Sequence, residues 1–76
     1  MRRKNPLYSH YYLLGRRIQY LRKKRGHTQE RFAEKLKITT SHLGSVEAGL
    51  KKTSVDLLFS IVKLLDIKDM DLFKYE

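Results

Sequence analysis

Residues 28–48 read TQERFAEKLKITTSHLGSVEA, and the apolar positions in this run fall into two short groups of helical spacing with a break between them. In the first group Phe32, Ala33 and Leu36 share one face and Glu30, Arg31, Glu34 and Lys35 the other, the pattern of an amphipathic helix of about nine residues. Thr28 supplies its N-cap. Ile38 then falls in a turn, Thr39 caps a second helix, Leu43 and Val46 point inward, and Gly49 is a suitable stop. Ala33 sits where the two helices meet, and a longer side chain there would wedge them apart. The local reading is helix, tight turn, helix.

Outward from this unit the spacing stays helical and period-two alternation does not persist, which predicts an all-α domain. Asn5-Pro6 is a plausible start for helix 1, with Leu7, Tyr11, Leu14, Ile18 and Leu21 along one face, Arg16, Arg17, Lys23 and Lys24 opposite, and Gly26 as the stop. After helix 3, Thr53 with Asp56 resembles a capping box opening helix 4 through Leu57, Leu58, Ile61, Leu64 and Leu65. A last short helix is expected over Asp69 to Phe73.

At 76 residues the chain makes one domain that buries only about 60% of its unfolded surface, too little for a large enclosed catalytic cleft. It has no cysteine, so neither disulfides nor a thiolate zinc site is expected to support it. The net charge of +9 is unevenly placed: residues 1–37 hold 12 Lys/Arg against Glu30 and Glu34, whereas residues 38–76 hold five against six acids. A polyanion facing the first half is the simplest reading, since Lys and Arg displace counterions from phosphate backbones. The rival is a basic module that binds a protein or an anionic membrane surface through helix 1. The charged start Met1-Arg2-Arg3-Lys4-Asn5-Pro6 lacks the apolar run of a signal peptide, because His10, Arg16 and Arg17 interrupt it. A cytoplasmic location is expected, with no membrane span.

Catalysis is not expected. His10, His27 and His42 show no metal-ligand spacing, and neither a glycine-rich phosphate loop nor a nucleophile motif can be assembled. No metal, cofactor or small-molecule ligand is anticipated.

The joint spacing Leu14-Gly15-x-x-Ile18-x-x-Leu21-Arg22, then Gly26-x-Thr28-Gln29-Glu30-x-x-Ala33-Glu34-x-Leu36, then Ser41-x-Leu43-x-x-Val46-Glu47-x-Gly49 resembles the Cro and phage-repressor (Xre-like) helix-turn-helix family. The tail Ser54-x-Asp56-x-Leu58 with Ile61, Leu65, Ile67 and Leu72-Phe73 continues it. The resemblance implies a compact five-helix, lambda-repressor-like DNA-binding domain, with helix 3 in the major groove and helix 2 crossing the backbone above it. On this reading residues 1–12 form a basic arm and the start of helix 1, residues 13–73 the helix-turn-helix domain, and residues 74–76 a tail.

The resemblance also implies residue roles. Thr40, Ser41 and Ser45 stand where the family reads bases, and their hydroxyls can donate or accept while a Thr methyl can meet a thymine methyl. As plain helix positions they would be polar solvent-side residues. Gln29 matches a phosphate-contacting position, Thr28 and Thr39 begin helices whose free N–H groups suit anions, and Lys51 and Lys52 lie in a loop that tracks phosphate. Arg2, Arg3 and Lys4 could line the duplex. His42 is either a DNA contact or a partly buried imidazole. Gly44, in mid-helix, either permits close approach to DNA or has no role.

Arg22 and Glu47 match positions that pair structurally between helices 1 and 3. A transcriptional regulator reading an inverted-repeat operator in double-stranded DNA is expected to be a homodimer. Ile67, Met70, Leu72, Phe73 and Tyr75 are the candidate interface, with Tyr8, Tyr11 and Tyr12 as a second surface. Three positions depart from the family pattern. Lys37 replaces the usual turn glycine and must accept positive φ or rearrange the turn, Arg31 replaces an acid in helix 2, and Asp66 replaces a common glycine after helix 4, where Asp tolerates such a turn.

Overall fold

Hydroxyl side chains open three of the helices. Thr28 Oγ1 accepts from the Arg31 N–H at 3.1 Å, Thr39 Oγ1 from His42 N–H at 2.9 Å, and Ser54 Oγ from Leu57 N–H at 3.1 Å. Each cap satisfies one of the N–H groups that a helix start leaves unpaired. The computed structural model describes residues 10–74, and its elements run α1 (His10–Lys24), α2 (Gln29–Leu36), α3 (Thr40–Glu47), α4 (Val55–Leu65) and a 3-10 segment (Asp69–Phe73). No strand occurs among the described residues. The expected start of helix 1 at Asn5-Pro6, with Leu7 and Tyr8, the arm residues Arg2, Arg3 and Lys4, and Tyr75 lie outside the described residues.

Two expectations about the elements need correction. The cap of α4 is Ser54, not Thr53: Ser54 has the extended backbone a cap requires (φ −69°, ψ 155°) and its oxygen reaches Leu57. Asp56 sits in the first turn as a favourable charge at the positive end of the helix dipole rather than in a capping box. The fifth element is a 3-10 segment of five residues, not an α-helix. So short a run closes few backbone bonds, and i→i+3 pairing suits such pieces.

Among the described residues all four α-helices close on a left-handed residue: Gly26 (φ 81°), Lys37 (φ 62°), Gly49 (φ 75°) and Asp66 (φ 57°). In the α2–α3 turn, Lys37 N–H donates to Glu34 O at 3.1 Å and Ile38 N–H to Ala33 O at 3.0 Å, the paired reverse bonds of a Schellman cap. Lys37 has therefore accepted the positive φ that its family counterpart leaves to glycine.

The core is built by Leu14, Ile18 and Leu21 of α1, Phe32 and Ala33 of α2, Leu43 and Val46 of α3, Ile61 and Leu65 of α4, and Leu72. Leu36, Ile38, Leu57, Leu58, Val62, Leu64 and Ile67 pack around it. α3 rests on α1 and α2, α4 packs on α2 and α1, and the 3-10 segment closes the far side against α1 and α4. Tyr11, expected on the buried face of helix 1, is 41% exposed. Leu72, expected at a dimer surface, is 0% exposed: it completes the chain's own core and is not available to a partner.

The left-handed Lys37 gives a direct test. A non-glycine residue costs about 1–2 kcal/mol in this conformation, offset in part by the greater freedom that glycine gives the unfolded chain. Lys37→Gly is expected to raise the unfolding free energy by about 1 kcal/mol, seen as a later urea midpoint at unchanged slope.

Candidate nucleic-acid interface

The position of α3 follows from what lies under it. Leu43 and Val46 are fully buried, and α1 approaches so closely at Gly15 that a Cβ there would collide with the carbonyl oxygens of Val46 and Glu47. Beside this contact Arg22 Nε donates to Glu47 Oε2 at 2.7 Å and Arg22 Nη2 to Oε1 at 3.1 Å, both side chains being buried. Arg22 Nη1 also donates to the His27 carbonyl at 2.8 Å, and Gln29 Nε2 donates to Glu47 Oε1 at 3.0 Å. One carboxylate thus joins α1, the first residue of α2, and α3. Among the described residues no buried side-chain N or O lacks a hydrogen bond.

The opposite side of α3 is polar and small. Thr40 and Ser41 are exposed, whereas His42, Gly44 and Ser45 are half-buried. Thr28 and Thr39 are exposed; their oxygens accept the cap bonds while each O–H remains a donor. Gln29 is half-buried, and with one N–H on Glu47 its amide keeps a second N–H and a carbonyl oxygen. Lys51 and Lys52 are exposed between α3 and α4. The structure therefore gathers the amino-terminal ends of α2 and α3, the outward face of α3 and the start of the following loop on neighbouring parts of one helix-turn-helix unit.

Some of the basic side chains of α1 and of the turn after it serve the fold instead. Arg17 Nε donates to the Asp71 carbonyl at 2.9 Å and Arg25 Nη2 to the Asp66 carbonyl at 3.3 Å, while Arg17 and Lys24 each lie 5.6 Å from the Tyr20 ring centroid. Sequence reasoning missed both arginine ties, because the partners are backbone carbonyls 54 and 41 positions away and carry no local signal. Of the proposed dimer residues, Met70 is 75% and Phe73 52% exposed, and Ile67 is partly buried against the core. Val55 and Phe59 of α4 are also exposed; their i, i+4 spacing off the core stripe was the available sign. No group of three or more His, Cys, Asp or Glu among the described residues could hold a metal ion.

His27 packs against Phe32, ring centroids 5.2 Å apart. Burial, reinforced by the positive charges of Lys35 and Arg22, holds its imidazole below the ordinary value of 6.5. The folded state then binds this proton more weakly than the unfolded chain does. The His27 contribution to stability is complete above about pH 6.5 and is lost as pH falls through the lower folded value. Urea midpoints are expected to hold above about pH 6.5 and to drop as the pH falls below it, and His27→Gln to flatten that fall.

The ion pair carries a larger effect. Arg22→Ala or Glu47→Ala alone strands a buried charge and is expected to cost about 3–5 kcal/mol. The double variant should cost clearly less than the two singles together, as read by denaturant unfolding of all four proteins.

Comparison with known proteins agrees with this geometry. The helix-turn-helix family matches residues 18–73. YazB, an uncharacterized HTH-type transcriptional regulator of Bacillus subtilis, is 42% identical over 53 residues, covering 70% of this chain and 77% of its own length. Among solved structures, the restriction-modification controller protein C.AhdI of Aeromonas hydrophila superposes with a TM-score of 0.78 at 30% identity, covering 83% of this chain and 96% of that one. The biofilm regulator SinR of Bacillus subtilis, solved in complex with DNA, superposes with a TM-score of 0.73 at 31% identity, covering 80% and 98%. The family is one of DNA-binding transcription regulators and not of enzymes. With Thr28–Leu36 forming the first helix and its cap, Lys37 and Ile38 the turn, and α3 the second helix, this chain belongs to the Xre-like helix-turn-helix family.

Proposed function

We propose that the protein is a cytoplasmic transcriptional regulator that binds an inverted-repeat operator in double-stranded DNA as a homodimer, with α3 of each copy in the major groove. The observation that carries this reading is the division within α3: Leu43, Val46 and Glu47 are locked into the domain while Thr40 and Ser41 of its first turn stand exposed. Thr40, Ser41 and Ser45 read base edges. Gln29, Thr28, Thr39, His42, Lys51 and Lys52 hold the phosphate backbone, and the arm residues Arg2, Arg3 and Lys4 follow the duplex. SinR, the similar protein solved in complex with DNA, supports the binding mode by likeness.

The two-fold surface is proposed at Met70 and Phe73, which remain exposed where Leu72 is withdrawn into the core. A purely electrostatic module built on helix 1 is less well supported, because Arg17 and Arg25 are engaged with carbonyls of the same chain. No helix among the described residues is long and apolar enough to cross a membrane.

Affinity selection from a random duplex library at two salt concentrations tests this reading. Enrichment of an inverted repeat with half-site centres about one helical turn apart is the expected result; failure to enrich any sequence would refute operator recognition. On the selected duplex, replacing Lys51 and Lys52 with Ala should lower affinity for all sequences and reduce the salt slope by up to about 2. An unchanged slope would remove both from the interface.

A further inference from the structure

Three of the four glycines are explained by the fold. Gly26 and Gly49 have left-handed backbone, and Gly15 lets α1 lie against the end of α3. Gly44 has no such reason. It lies inside α3 with no positive φ, where glycine is the least favourable residue after proline. A Cβ built on it meets only Gln29 Nε2, at 3.9 Å, an ordinary van der Waals distance. The folded chain could hold alanine here without a clash and with a firmer helix.

The place of this glycine is informative. It stands four and three residues beyond Thr40 and Ser41, hence on the same helical face, next to Ser45, and Gln29, anchored on Glu47, borders it. Thr and Ser hydroxyls sit a single bond beyond Cβ. They reach base edges only if the backbone of α3 itself comes close, and a methyl group in the middle of that face would hold it away.

We propose that Gly44 sets the depth at which α3 seats in the major groove. The missing side chain admits the base edges to the helix backbone and so brings the short hydroxyls of Thr40, Ser41 and Ser45 within hydrogen-bonding distance of them. Gly44 is then a specificity-determining residue that acts by leaving space. This inference rests on the operator-binding reading above.

The test compares the wild-type chain with Gly44→Ala in thermal unfolding, in affinity for the library-selected duplex, and in affinity for an unrelated duplex at two salt concentrations. The variant is expected to melt about 2–8 °C higher, as a better helix former whose methyl meets no clash. Its affinity for the selected duplex should fall about tenfold or more, as base contacts lengthen. Binding to the unrelated duplex, which depends on phosphate contacts, should stay within about twofold with the same salt slope.

A variant that keeps both its affinity and its discrimination would overturn the proposal. So would a lower melting temperature, which would assign the glycine to the fold. If the wild-type chain selects no sequence at all, operator binding fails before any variant is made, and the proposal falls with it. Loss confined to Gly44→Ala refutes neither and supports both.

Discussion

A carboxylate removed from water loses several kcal/mol of hydration unless donors surround it, and this domain places one, Glu47, at the junction of its first three helices. Arg22 of α1 covers both oxygens, Gln29 of α2 shares one of them, and the remaining arginine nitrogen reaches the His27 carbonyl ahead of α2. Apolar packing of Leu43 and Val46 fixes which side of α3 is inside, but it is non-directional. The charged network adds direction: α3 can rotate or slide only by breaking several hydrogen bonds to one buried carboxylate.

That constraint gives the outward face its meaning. A helix of eight residues would be marginal alone, yet here it is clamped by a buried ion pair and by the close approach of α1 at Gly15. Its free side can therefore consist of small polar residues that contribute little to stability. Gln29 stands on the boundary, bonded to the buried carboxylate on one side and bordering Gly44 on the other, so the supporting network and the proposed contact surface share a side chain.

The rest of the chain secures this unit. α4 and the 3-10 segment complete the core with Ile61, Leu65 and Leu72; Arg17 of α1 ties to the middle of the 3-10 segment and Arg25, just past α1, to the residue that closes α4, each through a backbone carbonyl. These ties are made by residues that would otherwise count as part of a basic face. The strong positive charge of the first half is thus divided between internal fastening and open surface, a distinction that net charge alone does not carry.

Much of this was legible in the residues. Periodicity placed α2 and α3, Thr28 and Thr39 marked their starts, and Gly26 and Gly49 marked the ends of α1 and α3, because capping and helical spacing are local properties written within a few positions. The pairing of Arg22 with Glu47 was open to reading only through the family resemblance. What local pattern could not decide were questions of register and distance. Ser54 rather than Thr53 caps α4 because packing of Leu57, Ile61 and Leu65 chooses the register. Leu72 turns inward while Met70 and Phe73 remain outside, since a single 3-10 turn has too few residues for periodicity to assign its faces. Only the folded chain brings Arg17 to the Asp71 carbonyl and Gln29 to Glu47, and only there does Gly44 prove to have room for a methyl group. The sequence by itself determined the helices and their caps; the tertiary structure decided which polar groups face inward, because burial is settled by neighbours distant along the chain.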